Sequence, residues 1–379
     1  MRYISEYRAN EEASRLLDQL RKEIDPQRTY RLMEFCGGHT HALFRFGLVD
    51  VLPEQIKLIH GPGCPVCVLS ISRIDSAIAI AEMPGTILCS YGDMLRVPGS
   101  NQDSLLRAKA RGADVRMIYS PQDALNLAIS HPDKTVVFFA VGFETTTPPT
   151  AALLAQCVNE EVSNLKVFCN HLLTPPAIKS ILAQHQNEPE YALDGIIGPG
   201  HVSLITGTHI YPAIVEQYKV PIVISGFEPT DMLQAILELI RQANAGEHQV
   251  RNMYSRAVMP EGNEKAQALS EKFFKVRERF EWRGLGELAE SALEIREQYA
   301  SLDAERYFKN IAREAKPYKA CECPAVLTGR KSPLDCPLFN NPCTPENPLG
   351  SCMVSSEGAC SAYYQYHSKA HRSPVHNEH

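Results

Sequence analysis

The sequence predicts an α/β fold with parallel sheets, followed by a helical and Cys-rich C-terminal region. Seven short apolar runs have the length and the β-branched content of buried strands. They are IKLIH (56–60), TILCS (86–90), VRMIY (115–119), VVFFAV (136–141), LKVFC (165–169), DGIIG (194–198) and PIVIS (221–225). Helix-like segments at 70–82, 103–111 and 121–130 separate several of these runs. Strands that alternate with helices form parallel sheets covered on both faces.

The two ends of the chain differ from this middle part. Residues 10–24 have the apolar spacing of an amphipathic helix. From about 230 to 315 the pattern is helical and charged, with few strand signals. The last sixty residues are rich in Pro, Gly and Cys and have little periodicity, so a fold there would need a metal to cross-link its loops.

Length and composition set the class of protein. A chain of 379 residues is long enough for two or three domains. Its net charge of −6 argues against nucleic acid or an anionic membrane as the main partner. Residues 1–30 carry charges throughout and lack a signal-peptide core, and the longest apolar stretch (136–143) is too short to cross a bilayer. We therefore expect a cytoplasmic protein, in which the twelve cysteines are buried, metal-bound or redox-active.

Three pairs of short motifs recur in the same order along the chain. FCGGH (35–39) is echoed by FCNH (168–171), GPGC (61–64) by GPGH (198–201), and VGFETT (141–146) by SGFEPT (225–230). This order predicts two related α/β units, with an insertion around 85–130 in the first. The predicted division is residues 1–147, residues 148–245, and a helical and cluster-binding region at 246–379. The alternative is a chance recurrence of turn-rich tripeptides.

The HGPGCPVC stretch (60–67) contains a C-x-x-C pair, Cys64 and Cys67, directly after a predicted strand. The ends of parallel strands are where open α/β sheets place their ligands. The following helix is predicted to start near Pro65, so both thiols would face its N-terminus, which lowers a thiol pKa. The pair indicates either a redox role or metal binding.

The FCGGHTH stretch (35–41) places Cys36 at another strand end, together with two histidines. Gly37 and Gly38 permit a positive φ and a close approach of the backbone to a bound group. For the histidines alone a tight, exposed turn is the better interpretation. Cys36 could converge with Cys64 and Cys67 on one soft site, suited to low-spin iron, copper(I) or zinc.

Glu144, in GFETTTP (142–148), follows a third strand. It is either an acid/base or hydrogen-bond acceptor near the thiols, or only an acid at a helix N-terminus. Asp93 and His60 are weaker candidates of the same kind. Three further cysteines fall in predicted strands or helices and are expected to be core residues: Cys89, Cys157 and Cys169.

The tail has the strongest chemical pattern, C-x-C-x12-C-x6-C-x8-C-x7-C. Its members are Cys321, Cys323, Cys336, Cys343, Cys352 and Cys360. Pro324 and Pro337 follow cysteines, as in ferredoxin-type loops. A zinc site with four thiolates is the rival, but the paired C-x2–4-C knuckles of such sites are missing. A [4Fe–4S] cluster would take four thiolates and leave two for a redox disulfide.

Four blocks of the sequence resemble the HypD family of hydrogenase maturation proteins, from about residue 30 to residue 366. They are FCGGHTHALFRFGL (35–48), HGPGCPVCVL (60–69), VGFETTTPP (141–149) and CTPENPLGSCMVSSEGACSAYYQY (343–366). The resemblance implies a scaffold for the Fe(CN)2CO part of the [NiFe]-hydrogenase active site. It implies as partners a HypC-type chaperone and a HypE-type cyanide donor.

The same resemblance implies roles for particular cysteines. Cys36, Cys64 and Cys67 would be the thiols associated with the Fe(II) of the transferred unit. The tail would carry a [4Fe–4S] cluster in an arrangement like that of ferredoxin–thioredoxin reductase. The cluster ligands are expected to be Cys323, Cys336, Cys343 and Cys360, with Cys321 and Cys352 spare.

The function expected from both arguments is a cofactor-assembly scaffold with redox activity rather than a turnover enzyme. Soft thiolates supply the electron donation that low-spin Fe(II) with cyanide and CO needs, and a cluster beside a dithiol can store electrons. The alternative is a stand-alone iron–sulfur disulfide reductase that uses Cys64 and Cys67. Such a reductase has no need of a third thiol at Cys36.

Overall fold

The computed structural model describes residues 10–309, 311, 313–316 and 318–370, with side chains described as far as residue 366. Helix α1 (Asn10–Glu23) confirms the predicted amphipathic helix. Residues 1–9, part of the stretch in which no signal peptide is expected, lie outside the described residues. Every helix in the described ranges is too short or too polar to cross a membrane.

The first sheet has five parallel strands in the order β2-β1-β7-β8-β9. Their bounds are β1 (Tyr30–Glu34), β2 (Ile56–His60), β7 (Gly195–Pro199), β8 (Ile222–Ser225) and β9 (Val250–Asn252). Helix α12 (Pro229–Ala245) packs with α1 on one face, around a core that includes Leu20, Leu32 and Ile236. The other helices of this part are α2 (Gly37–Arg45), α3 (Leu48–Val51), α4 (Pro65–Val68), α10 (Gly200–Thr206) and α11 (Pro212–Tyr218).

The second sheet has four parallel strands in the order β4-β3-β5-β6. They are β3 (Thr86–Ser90), β4 (Asp114–Met117), β5 (Thr135–Gly142) and β6 (Leu165–His171). The helices are α5 (Ile71–Ala81), α6 (Leu105–Ala110), α7 (Pro121–Ser130), α8 (Thr147–Asn159) and α9 (Thr174–Gln186). The α/β class with parallel sheets is therefore confirmed, and all seven predicted apolar runs coincide with strands to within a few residues.

Proline fixes the start of several of these helices. Pro65, Pro121 and Pro229 each stand at the first helical position, where the missing N–H is not needed and φ is already helical. In α7 and α12 an acid three residues after the N-cap closes a capping box.

An antiparallel hairpin follows, where the sequence predicts helix. Helix α13 (Glu264–Phe273) leads into β10 (Phe274–Trp282), which pairs with β11 (Gly286–Ile295). Much of this ribbon is exposed and carries charged side chains. In the sequence, these charges look like the polar face of a helix. The helical expectation for about 230–315 is confirmed at α12 and α13 and is wrong at this hairpin. A short 3-10 helix (Glu297–Leu302) and a short α-helix, α14 (Ala304–Tyr307), come next.

The sheets do not divide the chain where the motif repeat would. Strands β1 and β2 are neighbours in one sheet, whereas β6 and β7, which carry the corresponding motifs, belong to different sheets. The segment taken as an insertion around 85–130 supplies β3 and β4 of the second sheet. The boundary expected at residue 147 falls between β5 and β6, which are hydrogen-bonded neighbours. The recurring motifs reflect similar turns after parallel strands, so the interpretation as a structural duplication is wrong.

The tail is packed on the body of the protein. It contains α15 (Cys323–Leu327), α16 (Ala359–Ala370) and short turns at Pro333–Asp335 and Ser351–Met353. Its buried residues, among them Leu327, Met353 and Val354, join the largest hydrophobic core, which also receives side chains from both sheets. We expected a metal to cross-link the loops of the tail. The structure shows that the core of the two sheets also holds the tail in place.

Candidate functional site

Cys36 lies at the start of α2, directly after the carboxyl end of β1. It is buried and has an extended backbone as the N-cap residue. Burial raises the pKa of its thiol, and the nearby carboxylates of Glu357 and Glu34 raise it further. The amides of Gly38 and His39 lower this pKa, but by less. Cys36 is therefore a protonated thiol in the protein without bound metal.

The two glycines after Cys36 are needed for close contacts rather than for a positive φ, because both are helical. A Cβ on Gly37 would lie 2.5 Å from the Cβ of Glu357, and one on Gly38 would lie 2.9 Å from the ring of Phe227. The expected positive φ is wrong. The tail and the end of β8 instead pack against the Cys36 turn.

The loop after β2 is bonded to the Cys36 turn. The Gly61 amide donates to the carbonyl of Glu34 over 2.9 Å, and the Gly37 amide donates to the carbonyl of Gly63 over 3.1 Å. A Cβ on Gly63 would lie 2.5 Å from the amide nitrogen of Cys36. These contacts place Cys64, the residue after Gly63, on the loop next to Cys36.

Cys64 is the N-cap residue of α4, and Cys67 lies within its single turn. The helix starts at Pro65, as the sequence predicts. The Cys67 thiol lies beside those of Cys64 and Cys352. The Cys352 thiol also interacts with those of Cys323 and Cys360. The C-x-x-C pair therefore meets the C-terminal tail sulfur to sulfur.

Cys321 extends this group, because its thiol lies beside that of Cys323. We call these six residues the thiol junction: Cys64, Cys67, Cys321, Cys323, Cys352 and Cys360. The Ser351 hydroxyl donates to the carbonyl of Cys67 over 2.7 Å and fixes the approach of the tail.

The thiols of the junction differ in acidity. Burial raises the pKa of Cys67 well above its usual value, while hydrogen bonds from neighbouring thiols hold the pKa of Cys352 well below its usual value. The expectation that the helix N-terminus lowers the pKa of the C-x-x-C thiols is wrong for Cys67. Helix α4 has only four residues, so its dipole is small beside the cost of burying a charge.

The remaining tail cysteines are Cys343 and Cys336. The Leu349 amide donates to the Cys343 sulfur over 3.4 Å, and the Gly350 amide also lowers the pKa of the Cys343 thiol against the rise caused by burial. Cys336 is half-buried at the end of the turn 333–335. Among the described residues, no three Cys, His, Asp or Glu side chains surround a point as ready-made metal ligands.

Glu34 is a buried acid that the sequence interpretation missed. Its carboxylate accepts hydrogen bonds from the Cys36 amide at 3.1 Å, from His60 Nδ1 at 2.8 Å, and from the Thr40 hydroxyl. Burial raises the pKa of Glu34. An acid at the last position of a buried strand, directly before the Cys36 turn, was the available sequence signal. His60, a weak candidate, lies here as a partner of Glu34 rather than as a thiol neighbour.

Glu144 lies at the end of the second sheet. It accepts hydrogen bonds from the amide and the hydroxyl of Thr174, at 2.7 and 2.8 Å, and so caps α9 rather than its own helix. Burial raises its pKa to about 7. Burial is the main cause that raises the pKa of Tyr211, and the nearby Glu144 and Cys36 raise it further. The carboxyl ends of the two sheets therefore approach each other at Tyr211.

The histidines of the Cys36 turn are less exposed than expected. His39 is fully buried, stacks on Phe227 with ring centroids 4.7 Å apart, and donates from Nε2 to the Ser225 carbonyl over 3.2 Å. Burial lowers its pKa to about 4, so its ring is neutral. His41 is half-buried. Asp93 is a surface partner of Arg96, at 3.4 Å.

Three cysteines stand apart from the site, as the sequence predicts. Cys89 and Cys169 are buried in strands, and their thiols donate to the carbonyls of Val137 and Leu293. Cys157 is buried in α8. These are core cysteines.

Comparison with known proteins shows the family to which this chain belongs. A family model described as "HypD: Hydrogenase formation hypA family" matches residues 11–367. The chain belongs to the HypD family. It is 58% identical over 367 residues to the hydrogenase maturation factor HypD of Azotobacter vinelandii, with 97% of each chain covered.

More distant members of the HypD family align over the same length. The hydrogenase maturation factor HypD of Rhizobium leguminosarum bv. viciae is 54% identical over 368 residues, covering 97% of this chain and 96% of the relative. That of Escherichia coli (strain K12) is 46% identical over 371 residues, covering 97% and 98%. The resemblance noted from the four sequence blocks is thus confirmed for the whole chain.

Proposed function

We propose that this chain is a cytoplasmic hydrogenase maturation scaffold on which the Fe(CN)2CO unit of a [NiFe]-hydrogenase is assembled. Membership of the HypD family and the names of its relatives support maturation as the process. The structural observation that carries the proposal is the contact between Cys67 and Cys352, which joins the C-x-x-C loop to the Cys-rich tail. Cys36 lies on the loop beside it.

Cys36, Cys64 and Cys67 would hold the iron of the cargo. They offer soft sulfur donors, which suit Fe(II) with strong-field ligands. Glu34 fixes the Cys36 backbone, and the Gly61–Gly63 loop keeps Cys64 beside it. Burial raises the pKa of Cys36 and of Cys67, whereas a metal ion deprotonates the thiols that coordinate it. Iron loading should therefore release protons from this site.

The tail would hold a [4Fe–4S] cluster through Cys323, Cys336, Cys343 and Cys360. The donor chemistry fits: thiols lie around the 349–350 loop, and backbone amides point at the Cys343 sulfur, a contact that tunes such clusters. When bound, the cluster would supply single electrons.

Cys352 would then exchange with the C-x-x-C pair. Its low pKa favours the thiolate that attacks a disulfide. Attack on the Cys67 sulfur of a Cys64–Cys67 disulfide forms a Cys67–Cys352 bond and releases Cys64 as a thiolate. In this way the tail could control when the iron-holding thiols are free.

We propose a HypC-type chaperone and a HypE-type cyanide donor as partners. A chaperone that contributes its own thiolate to the shared iron would be linked to this chain through the metal. Changing Cys36 should therefore weaken binding of that partner.

The proposal is tested by complementation of a strain that lacks its own maturation factor. Cys36→Ala, Cys64→Ala and Cys67→Ala should each abolish hydrogenase maturation and leave the visible absorption of the cluster intact, because the tail brings its own ligands. Cys157→Ala, a core change, serves as the control. Normal maturation by Cys36→Ala would contradict the three-thiol site.

The cluster has a separate test in the anaerobically purified protein. We expect about four iron and four sulfide per chain. The double variant Cys336→Ala, Cys343→Ala should lose both. Stoichiometric zinc without charge-transfer absorption would contradict the cluster.

A further inference from the structure

The tip of the β10–β11 hairpin reaches into the thiol junction. Trp282 is fully buried and forms an antiparallel bridge with Leu69, which directly follows α4. Gly284 has a φ of +87°, and a Cβ on it would lie 3.0 Å from the Cα of Pro324. The tip is therefore held between the end of the C-x-x-C helix and the residue after Cys323.

Arg283 is carried by this tip. Its amide donates to the Val68 carbonyl over 2.7 Å, its Nε to Leu69 over 3.0 Å, and its Nη2 to Pro98 over 3.3 Å. All three acceptors are neutral main-chain carbonyls. Within the ranges that the structure describes, no carboxylate forms an ion pair with Arg283. A guanidinium keeps its proton in proteins, so its charge is balanced by other groups.

The groups that face this charge are thiols. Arg283 lines a cavity of about 70 Å³ together with Cys321, Cys323 and Gly350. Burial lowers the pKa of Arg283, and the sulfurs of Cys323, Cys352, Cys321 and Cys67 act against that shift. Four members of the thiol junction therefore lie in the field of one unpaired cation.

We propose that Arg283 is the countercharge of the thiol junction and favours its more negative, reduced state. This inference rests on the proposed function, because it assumes that the tail holds a cluster. Reduction adds one electron and one negative charge to the cluster, while Arg283 keeps its proton. Arg283 acts as a positioning residue, through its charge and its three hydrogen bonds.

The test is an anaerobic titration of the cluster-loaded full-length protein with dithionite as the electron donor, followed by electron paramagnetic resonance. Arg283→Gln removes the charge and keeps an amide donor. It should lower the equilibrium constant for one-electron reduction at least tenfold, which corresponds to a potential about 59 mV lower. Arg283→Lys keeps the charge and should shift it much less. Arg279→Gln is the matched control, since Arg279 lies on the same hairpin but is 67% exposed and pairs with Glu287.

The outcomes separate the inference from the function on which it rests. An Arg283→Gln potential equal to that of the unchanged protein overturns the countercharge role and leaves the cluster intact. Cluster loss in Arg283→Gln but not in Arg283→Lys supports a requirement for charge. Cluster loss in both variants overturns the proposal in favour of a packing role for the carbonyl contacts. Absence of a cluster signal from the unchanged protein would instead refute the proposed function.

Discussion

The thiol of Cys67 lies beside the thiol of Cys352, so that the C-x-x-C loop and the C-terminal tail meet through sulfur. Thiols that lie beside each other in this way can be joined by a disulfide on oxidation. The contact links a strand-end loop of the first sheet to a segment from the other end of the chain.

This contact predicts a specific cross-link. In Cys64→Ser, mild oxidation with diamide should produce a Cys67–Cys352 disulfide, because Cys67 has lost its neighbour within the C-x-x-C pair. Peptide mass spectrometry without reduction detects it. The double variant Cys64→Ser, Cys352→Ser is the control and should lack the link. A main product that joins Cys67 to Cys36 instead would contradict the geometry.

Glu34 should be a major contributor to stability. Glu34→Ala leaves the Cys36 amide, the Thr40 hydroxyl and His60 without their acceptor. We expect the free energy of unfolding to fall by about 2–5 kcal/mol, against about 1 kcal/mol for Thr40→Ala, which removes one donor. Urea denaturation compares the two. Equal losses would show that Glu34 does not organise the Cys36 turn.

Glu144 should make stability depend on pH. Burial raises its pKa from 4.5 to about 7 in the folded protein, so the folded state holds a proton that the unfolded state has released. Relative to Glu144→Gln, the unchanged protein should lose stability as pH rises from about 4.5 to 7, by up to about 3 kcal/mol, and change little above that.

Denaturation of both proteins at several pH values measures this difference. The exposed Glu261→Gln serves as the control and should show no such slope. A constant difference between Glu144→Gln and the unchanged protein would mean that Glu144 is ionised throughout this range.

Gly350 should be essential for the tail. Its φ of −131° suits any residue, but a Cβ there would lie 2.5 Å from the sulfurs of both Cys321 and Cys323. Gly350→Ala should therefore lower the iron and sulfide content measured after anaerobic purification. Gly246→Ala, which has a φ of +67° and open space around it, reports backbone strain alone and should keep full iron content. Full loading of Gly350→Ala would mean that the sulfurs move away at little cost.

The strands and the strand-end position of the thiols could be predicted from the sequence. Buried parallel strands are continuous apolar runs, so segments such as 56–60 and 86–90 are visible at once, and Cys64 follows directly. Periodicity does not tell which strands are neighbours. The pairing of β1 with β7 arises from long-range packing, which a repeat of short turn motifs cannot reveal.

The charged hairpin and the polar groups around the thiols could not be predicted. Residues 274–295 carry charges on an exposed ribbon, and this pattern hides its strand character. Arg283 reaches the thiol junction only because the hairpin tip packs on α4 and on Pro324. No motif in the residues around Arg283 indicates that it lies at the thiol junction.

The most direct test of the three-thiol scaffold is infrared spectroscopy of the protein purified anaerobically with its HypC-type partner, because bound cyanide and CO absorb where proteins do not. The matched control is Cys89→Ser, since Cys89 is a buried thiol outside the site that donates to Val137 and a hydroxyl can do the same. We expect cyanide and CO bands in the unchanged protein and in Cys89→Ser. In Cys36→Ser they should be absent while the visible absorption of the cluster persists, since a hard oxygen cannot replace sulfur donation. Bands of undiminished intensity in Cys36→Ser, or none in the unchanged protein, would contradict the account.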